Sequence, residues 1–391
     1  MAKGSIPAAR PGGNRLEAAG TMESNTRGNS ACSGAGVDLD IDTIDSFVRD
    51  RIPDLEGAAR LHRVQGGQSN PTYIIAYDNR KLVLRRRPDG KLLPSAHAVG
   101  REFFVQKALW PTPVAVPRMI LHCTDPAVAG TEFYLMEHVE GRIFHQDSLP
   151  GVERRDKRPM LFNLAEMLAR IHSVDIAACG LGRFGRHGSY FQRQTRRWSG
   201  QWRLSKGREL DDMDRLLHWL PDNIPEDDST TIVHGDYRSG NVIYHPTEPT
   251  VLAVLDWELS TLGHPMADLA HSCAYIWMMG DLQANIMGAS SVSAAIEGLT
   301  MPEFVDAYCR MAATEHRLTN FHLAFALFRN AAIYEGVADR ARRGNAAAAN
   351  AASLGRVVPI LARRAVAMTT AGEDFMSIAQ SHSSAGQPNG L

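Results

Sequence analysis

The fold of this chain is decided by one stretch, Thr231–His271, which reads TIVHGDYRSGNVIYHPTEPTVLAVLDWELSTLGHPMADLAH. Three short runs of β-forming residues fall within it, at 231–233, 242–244 and 251–255. A polar loop joins the first two runs and carries Asp236 and Asn241, and a turn-forming segment with two prolines joins the second and third. Asp256 follows the third run directly. The stretch therefore predicts short strands that hold two carboxylates and one amide at their ends.

These three polar side chains have the chemistry that metal-assisted phosphoryl transfer requires. One carboxylate, Asp236, is placed to accept the proton of an acceptor hydroxyl, and Asn241 and Asp256 supply ligands for Mg²⁺ on the nucleotide phosphates. The alternative is a hairpin whose polar loop residues have no chemical role, and for Asp236 alone that alternative is the better interpretation. Three residue types at matched spacing, with strands on both sides, favour phosphoryl transfer.

The loop HGDYRSGN resembles the catalytic loop of the aminoglycoside phosphotransferase and choline kinase group, a branch of the protein-kinase-like fold. Protein kinases carry H-R-D-x-x-x-x-N followed by D-F-G. This chain has His234-Gly235-Asp236 with Asn241, and then Asp256-Trp257-Glu258. The longer run through residue 270 is similar to the kinase domains fused to, or encoded beside, acyl-CoA dehydrogenases. The resemblance extends from about residue 60 to residue 370.

That resemblance implies an α+β, protein-kinase-like two-lobe fold. It has a small antiparallel β-sheet N-lobe, a larger and mainly helical C-lobe, and ATP and Mg²⁺ between them. We expect the N-lobe at 39–140 and the C-lobe at 141–371. The tails 1–38 and 372–391 are poor in large apolar residues, so we expect both to be disordered. A transit peptide is a weaker alternative for the first tail, because arginines there sit among small residues.

Composition limits the function classes and the compartment. The 391 residues include 42 basic and 43 acidic side chains, and the net charge of −1 argues against a general nucleic-acid or membrane-surface role. Five scattered cysteines without a C-x-x-C pair suggest a reducing compartment, with neither a zinc site nor a disulfide framework. No apolar run approaches the ~20 residues of a membrane helix. We expect a soluble, cytoplasmic protein.

A glycine-rich segment lies between two β-type runs near the start of the N-lobe. Taken alone, Gly66-Gly67-Gln68-Ser69-Asn70 is best interpreted as an ordinary hairpin turn. Ahead of a kinase catalytic loop, it resembles the loop that covers the nucleotide phosphates. In that role Gly66 and Gly67 let backbone N–H groups approach the nucleotide, Ser69 adds a hydroxyl donor, and Asn70 completes the segment.

The strand 81–87 supplies the cation that a kinase needs at the phosphates. Aligning Val83-Leu84-Arg85 with the V-A-I-K pattern places Arg85 where protein kinases have lysine. Arg86 points to the opposite face, because side chains alternate along a strand. A helix at 95–110 follows, and its Glu102 is the candidate partner of Arg85. The alternative for this strand is a solvated basic end.

The segment that follows the strand 133–136 resembles the interlobe hinge of kinases. It reads Glu137-His138-Val139-Glu140-Gly141. In such hinges the backbone pairs with the adenine edge, so the resemblance implies nucleotide contacts at Glu137 and Val139.

Periodic apolar residues predict the helices of the C-lobe, at 158–174, 189–208, 269–279, 302–311, 321–338 and 351–368. Asp339–Arg343 is expected to be a solvated turn. Within this lobe the resemblance implies that Asp268 braces the catalytic loop.

The helix at 189–208 is the candidate acceptor site. Aromatic residues form one stripe, which packs the helix onto the C-lobe, and an adjacent polar stripe includes Tyr190 and Arg197, with Arg193 beside it. The planar fork of arginine pairs well with a carboxylate or phosphate. The hypothesis is that Tyr190, Arg193 and Arg197 bind an anionic acceptor. The alternative is an exposed basic helix balanced by the acidic residues that follow it.

Together these features predict an ATP- and Mg²⁺-dependent small-molecule kinase that phosphorylates a hydroxyl. The resemblance makes a hydroxyacyl-CoA or hydroxy acid the leading acceptor, and a separate acyl-CoA dehydrogenase a possible partner. Two rivals stay open: a kinase for an aminoglycoside, choline or sugar, and a non-catalytic nucleotide-binding regulator. Aminoglycosides and choline are cationic, so an arginine-rich segment argues against them. The presence of Asp236, Asn241 and Asp256 in one chain argues against a non-catalytic regulator. We expect neither nucleic acid nor membrane as a partner.

Overall fold

The computed structural model describes residues 39–64, 70–89, 98–279, 282, 299–343 and 351–371. Both tails expected to be disordered, 1–38 and 372–391, lie outside these ranges, as do Gly66, Gly67 and Ser69 of the predicted phosphate-covering loop. Within the described ranges no helix combines the length and the apolar character that crossing a bilayer takes.

The smaller lobe is built on a five-stranded antiparallel sheet in the order β1-β2-β3-β5-β4. Its strands are β1 (Arg60–Arg63), β2 (Thr72–Ala76), β3 (Lys81–Arg86), β4 (Met119–Cys123) and β5 (Phe133–Glu137). Its helices are α1 (Ile41–Arg49), α2 (Val99–Leu109) and the short α3 (Pro126–Ala129). Helix α1 begins after Asp40, whose side chain accepts a hydrogen bond from the Asp42 N–H.

The two faces of this sheet pack against different helices, and this arrangement positions the predicted phosphate cation. Leu82 and Leu84 of β3 join the apolar cluster that contains Ile44 of α1. Val83 lies on the other face, in a cluster with Val99 of α2. Because side chains alternate along a strand, Arg85 shares the face of Val83 and points toward α2.

The larger lobe is mainly helical. Its helices are α4 (Arg154–His172), α5 (Tyr190–Ser205), α6 (Asp211–Asp222), α7 (Met266–Cys273), α8 (Met301–Ala312), α9 (Asn320–Arg342) and α10 (Ala351–Thr370). Helix α9 packs against α5, α7 and α10, and α4 packs against α8. One continuous apolar core joins these helices. A small antiparallel sheet lobe followed by a larger helical lobe is the fold that the sequence predicts.

Two strand pairs hold the loop from His234 to Asn241 at the edge of the helical lobe. Strand β6 (Thr231–Val233) pairs with β9 (Thr261–Gly263), and β7 (Val242–Tyr244) pairs with β8 (Val251–Val254). The chain enters this lobe beside β7, where a side chain on Gly141 would come within 2.3 Å of the Tyr244 carbonyl oxygen. Only glycine fits that approach.

Several boundaries differ from the sequence predictions. Helix α2 begins at Val99, and residue 95 lies outside the described ranges. The helix predicted at 269–279 is α7 followed by a π-helical turn, Ala274–Met278. The predicted turn at 339–343 is wrong, because α9 continues to Arg342, whose guanidinium pairs with the buried Glu335 at 2.9 Å. The lobe boundary between residues 140 and 141 stays a prediction.

Candidate active site

One buried carboxylate, that of Asp268, holds the start of the predicted catalytic loop, residues 234–241. Asp268 of α7 accepts hydrogen bonds from the backbone N–H groups of His234, at 2.6 Å, and Gly235, at 2.8 Å. His172 lies 3.3 Å from the same carboxylate. Burial alone would raise the pKa of Asp268, but the hydrogen bond from His172 and the backbone donors hold it below its usual value. This arrangement is the brace that the resemblance implies for Asp268.

Gly235, which precedes Asp236, has a backbone conformation and surroundings that favour glycine. Its φ of +85° lies in the left-handed region, and a Cβ there would meet the Leu259 carbonyl oxygen at 2.7 Å. Glycine at this position therefore has a steric cause.

Both carboxylate oxygens of Asp236 accept hydrogen bonds. The Asn241 amide nitrogen donates to Oδ2 at 2.9 Å and also to the Asp236 carbonyl at 2.7 Å, while His271 Nε2 lies 2.8 Å from Oδ1. Burial would raise the pKa of Asp236, but the hydrogen bond from His271 and the charges of Arg238 and Arg329 hold it well below its usual value. About a third of the side chain, 34%, stays exposed to solvent. The Asp236 carboxylate is therefore ionised, oriented and accessible, as its predicted role as a base requires.

Asn241 and Asp256 lie side by side at the end of β8. The Leu255 N–H donates to the Asn241 carbonyl at 2.8 Å, which places the next residue, Asp256, beside Asn241. Since the amide nitrogen of Asn241 faces two acceptors of Asp236, its Oδ1 is the oxygen left for another partner. Asp256 adopts φ +62°, and a non-glycine residue held in this region is a common feature of functional sites.

Two further carboxylates, Glu102 and Glu258, lie beside Asp256. Ligand oxygens of Glu102, Asp256 and Glu258 lie within 4.8 Å of one another. An amide oxygen and carboxylates are hard donors, the type that Mg²⁺ prefers. The residues present therefore fit a magnesium ion, with Asn241 and Asp256 as the ligands that the sequence predicts.

Arg85 connects the two lobes at the site. Its Nε lies 3.1 Å from Glu102 Oε2 in α2, and its Nη2 lies 2.6 Å from Asp256 Oδ1. Glu102 is fully buried and accepts further hydrogen bonds from Asn70, at 2.7 Å, and the Tyr134 hydroxyl, at 3.1 Å. Burial raises the pKa of Glu102 to about 7, against the opposing charge of Arg85.

These contacts place the remaining N-lobe candidates. The predicted pairing of Arg85 with Glu102 is present. Asn70 donates a hydrogen bond to Glu102 and so helps to hold that carboxylate in place. Arg86 lies on the opposite face, buried, and donates to the Ala129 carbonyl at 3.0 Å, so it is not placed at the site.

The hinge candidates lie at the end of β5. The Glu137 carboxylate pairs with Arg80 at 2.9 Å and does not point into the site as a free group. The paired register of β3 and β5 ends at Leu82 and Glu137, so Val139 lies beyond the ladder. The predicted nucleotide contacts of this segment are those of its backbone, and they stay a prediction.

The acceptor candidates lie on α5, which packs on the C-lobe through Phe191 and Trp202 as predicted. The Tyr190 ring lies against β9, where a Cβ on Gly263 would come within 2.5 Å of it. Burial raises the pKa of Tyr190 to about 12. Arg193 donates to the Arg186 carbonyl at 3.0 Å, and the Arg197 guanidinium lies 5.1 Å from the Trp198 ring centroid. The structure thus gives both arginines contacts within the helical lobe, and their approach to an acceptor stays a prediction.

Sequence reasoning missed three residues around Asp236. His271 contacts its carboxylate, Arg329 contacts His271, and Arg238 adds positive charge while pairing with Asp147 at 2.9 Å. One signal was present for Arg329, because it is the single Lys, Arg, Asp or Glu residue in the largely apolar run NFHLAFALFRNAAIY of α9. No spacing rule connects it to a loop 94 positions away.

Comparison with known proteins gives a family match and related sequences. Residues 60–319 match the model of the phosphotransferase enzyme family (APH). Acyl-CoA dehydrogenase family member 10 of Mus musculus is 42% identical over 311 residues, which cover 79% of this chain and 29% of that protein. Family member 11 of Gallus gallus is 40% identical over 319 residues, which cover 80% of this chain and 41% of that protein. The chain therefore spans about two fifths or less of these relatives.

Solved structures agree with the fold. A candidate aminoglycoside phosphotransferase from Ralstonia eutropha is 36% identical, has a TM-score of 0.74, and is matched over 84% of this chain and 98% of that one. Aminoglycoside phosphotransferase APH(4)-Ia, in a complex with AMP-PNP and hygromycin B, is 13% identical with a TM-score of 0.54, over 84% of this chain and 99% of that one. At that identity the second structure supports the fold alone.

Proposed function

Because the chain belongs to the phosphotransferase enzyme family, we propose that it transfers the γ-phosphoryl group of ATP to the hydroxyl of a small molecule. The observation that carries the proposal is the state of Asp236. Its carboxylate is ionised, anchored at both oxygens and still 34% exposed. A base of this kind orients the acceptor hydroxyl and accepts its proton as the phosphoryl group transfers.

For the nucleotide, the position of Arg85 supports the contacts that we propose. Arg85 holds a positive charge between Glu102 and Asp256, in the place where a kinase cation pairs with the phosphates. In this proposal the phosphates are covered by the segment that contains Gly66, Gly67, Ser69 and Asn70. The adenine edge forms hydrogen bonds with the backbone of Glu137 and Val139.

Asn241 and Asp256 would hold the magnesium ion. When bound, the ion neutralises charge on the nucleotide phosphates. The amide nitrogen of Asn241 orients the Asp236 carboxylate, and its Oδ1 would serve as the metal ligand. One residue thereby connects the metal site to the base.

For the acceptor we propose an anionic hydroxy compound, a hydroxyacyl-CoA or a hydroxy acid. Two arginines, Arg238 and Arg329, place positive charge near Asp236. Arg193 and Arg197 place positive charge near Tyr190. Positive charge favours a carboxylate or phosphate and disfavours a cationic aminoglycoside. The sequence relatives are acyl-CoA dehydrogenase family members, so an acyl-CoA dehydrogenase is the proposed partner.

The test is a turnover screen combined with Asp236→Asn. Wild-type protein with ATP and Mg²⁺ is offered hydroxyacyl-CoAs, free hydroxy acids and aminoglycosides, and ADP release is measured. General-base removal typically costs about 10²–10⁴ in turnover, so the variant should lose that factor while its ATP affinity is nearly unchanged. Asp306→Asn, which changes an exposed carboxylate of α8, is the matched control. Comparable turnover of Asp236→Asn and wild type would remove Asp236 as the base.

A further inference from the structure

We infer that Arg329 and His271 position the Asp236 carboxylate, with Arg329 fixing the ring tautomer of His271 and His271 donating to Asp236. The inference rests on the proposed function, in which Asp236 is the base. Neither residue touches the reacting atoms in this arrangement. Both are positioning residues that act through the base.

The tautomer follows from the donors that surround the imidazole. Arg329 Nη1 lies 3.2 Å from His271 Nδ1. A guanidinium has only donors, so Nδ1 must carry the lone pair and accept. The neutral ring then bears its proton on Nε2, which lies 2.8 Å from Asp236 Oδ1 and donates to it.

The same contact excludes the charged ring. An imidazolium would carry a proton on Nδ1 and point it at the Arg329 guanidinium. Burial also lowers the pKa of His271, whose side chain is 3% exposed. His271 is therefore a neutral hydrogen-bond donor in a fixed orientation.

This donor completes the anchoring of the base. Asn241 holds Oδ2 from one side and His271 holds Oδ1 from the other, so the carboxylate cannot rotate about χ2 without breaking a hydrogen bond. Each oxygen keeps a further acceptor site for a hydroxyl. Positioning of this kind raises turnover, because a misplacement of about 1 Å can cost on the order of 10² in rate.

The surrounding structure holds the chain of contacts in place. Arg329 donates through Nη2 to the Gly235 carbonyl at 2.7 Å, so α9 is connected to the catalytic loop directly. The Tyr275 ring, in the π-helical turn after α7, has its centroid 4.6 Å from that of the His271 ring, and the Arg238 guanidinium lies 4.9 Å from the Tyr275 ring centroid. π-helical turns of this type are frequent at functional sites.

The experiment compares two replacements of His271 in the full chain. His271→Leu removes the donor with similar volume, and His271→Gln carries an amide N–H where Nε2 stands. We expect kcat to fall on the order of 10²-fold in the leucine variant. The Michaelis constants for ATP and acceptor should stay within about threefold, because the base contributes to the transition state rather than to ground-state binding. The glutamine variant should recover at least about tenfold in kcat over the leucine variant. His218→Leu, which removes an exposed histidine of α6, should match wild type.

Arg329→Met tests the other contact. Since Arg329 acts partly through His271, its removal should lower kcat less in the His271→Leu background than in wild type. Equal kcat for His271→Leu and wild type, equal losses in both His271 variants, or strictly additive effects with Arg329→Met would overturn the inference.

A spectroscopic measurement keeps the test independent of these variants. Long-range ¹H–¹⁵N NMR of histidine-labelled wild-type protein near pH 7 should show His271 neutral with its proton on Nε2. A proton on Nδ1, or a charged ring, would overturn the inference even if the variants failed to fold. If wild-type protein phosphorylates no acceptor, the proposed function fails and the positioning role fails with it, whereas an Nδ1 proton in an active enzyme contradicts the positioning role alone.

Discussion

Replacing Glu102 by glutamine should change how the stability of the nucleotide-free protein depends on pH. Glu102 is fully buried, and burial raises its pKa to about 7 despite the adjacent Arg85. The unfolded chain has an ordinary glutamate pKa of about 4.3. A group whose pKa is raised on folding contributes stability that is present below about pH 4.3 and is lost as the pH rises through about 7.

The size of this effect follows from the pKa difference. Between the two values the native state loses about 1.4 kcal/mol for each pH unit, which amounts to about 3–4 kcal/mol in total. Glutamine mimics the protonated side chain, with one acceptor oxygen and a donor, so Glu102→Gln should lack this loss. Desolvation outweighs the Coulombic gain in many buried ion pairs, which agrees with this sign.

The measurement is urea-induced unfolding of wild type and Glu102→Gln at several pH values between about 4 and 8. The difference in unfolding free energy between wild type and Glu102→Gln isolates the contribution of Glu102 ionisation, because the other titrating groups are common to both proteins. We expect near-equal stabilities at the acid end, and a variant that is about 3 kcal/mol more stable, relative to wild type, near pH 8.

The control is Glu166→Gln on the surface of α4. Glu166 pairs with Arg170 at 2.6 Å, and an exposed pair of this type should change stability by less than about 1 kcal/mol at every pH. A difference between Glu102→Gln and wild type that stays constant across the range, or that grows in favour of wild type as the pH rises, would refute the reasoning.

Three further predictions concern activity. Glu102→Gln should lower turnover, and the double variant with Arg85→Ala should be no worse than Arg85→Ala alone, because the pair acts as a unit. Strictly additive effects in this double-mutant cycle would contradict a joint role. Asp256→Ala should weaken Mg²⁺-dependent ATP binding, and calorimetry that finds the same affinity with and without Mg²⁺ in both proteins would exclude the metal role. Replacing both Arg193 and Arg197 by alanine should raise the acceptor KM by about tenfold or more while the ATP KM stays constant, because a lost charge-assisted contact costs roughly 1.5–3 kcal/mol; a best acceptor that is cationic would count against it.

The parts of the site that the sequence predicted share one property: they lie close together along the chain. Asp236 and Asn241 are five positions apart, and a strand and a turn fix their geometry locally. Alternation along β3 likewise separates Arg85 from Arg86 without any knowledge of the tertiary structure. Local periodicity was enough for these residues.

The residues that were missed depend on long-range packing. His271 reaches Asp236 only because Asp268, one turn earlier in α7, holds the catalytic loop on the same helix. Arg329 comes from α9, 58 positions beyond His271. Hydrophobic periodicity places such a residue on a helix face, but which loop that face meets is decided by how α7 and α9 pack. The mistaken turn at 339–343 has the same origin, because the buried Glu335 pairs with Arg342 and extends the helix.

The arginine at position 85, where protein kinases have lysine, follows from what its side chain must join. Its Nε faces Glu102 in α2 of the smaller lobe, and its Nη2 faces Asp256 of the larger lobe, 171 positions further along the chain. A planar fork meets two carboxylates on different edges, whereas an ammonium is a single point charge. Ionisation of Glu102 beside Arg85 is expected to lower the stability of the nucleotide-free protein, so the reason for this ion pair is functional rather than structural. Contact with both lobes at the phosphate position supplies that cause, because it places one cation between the helix that orients it and the carboxylate that would hold the metal.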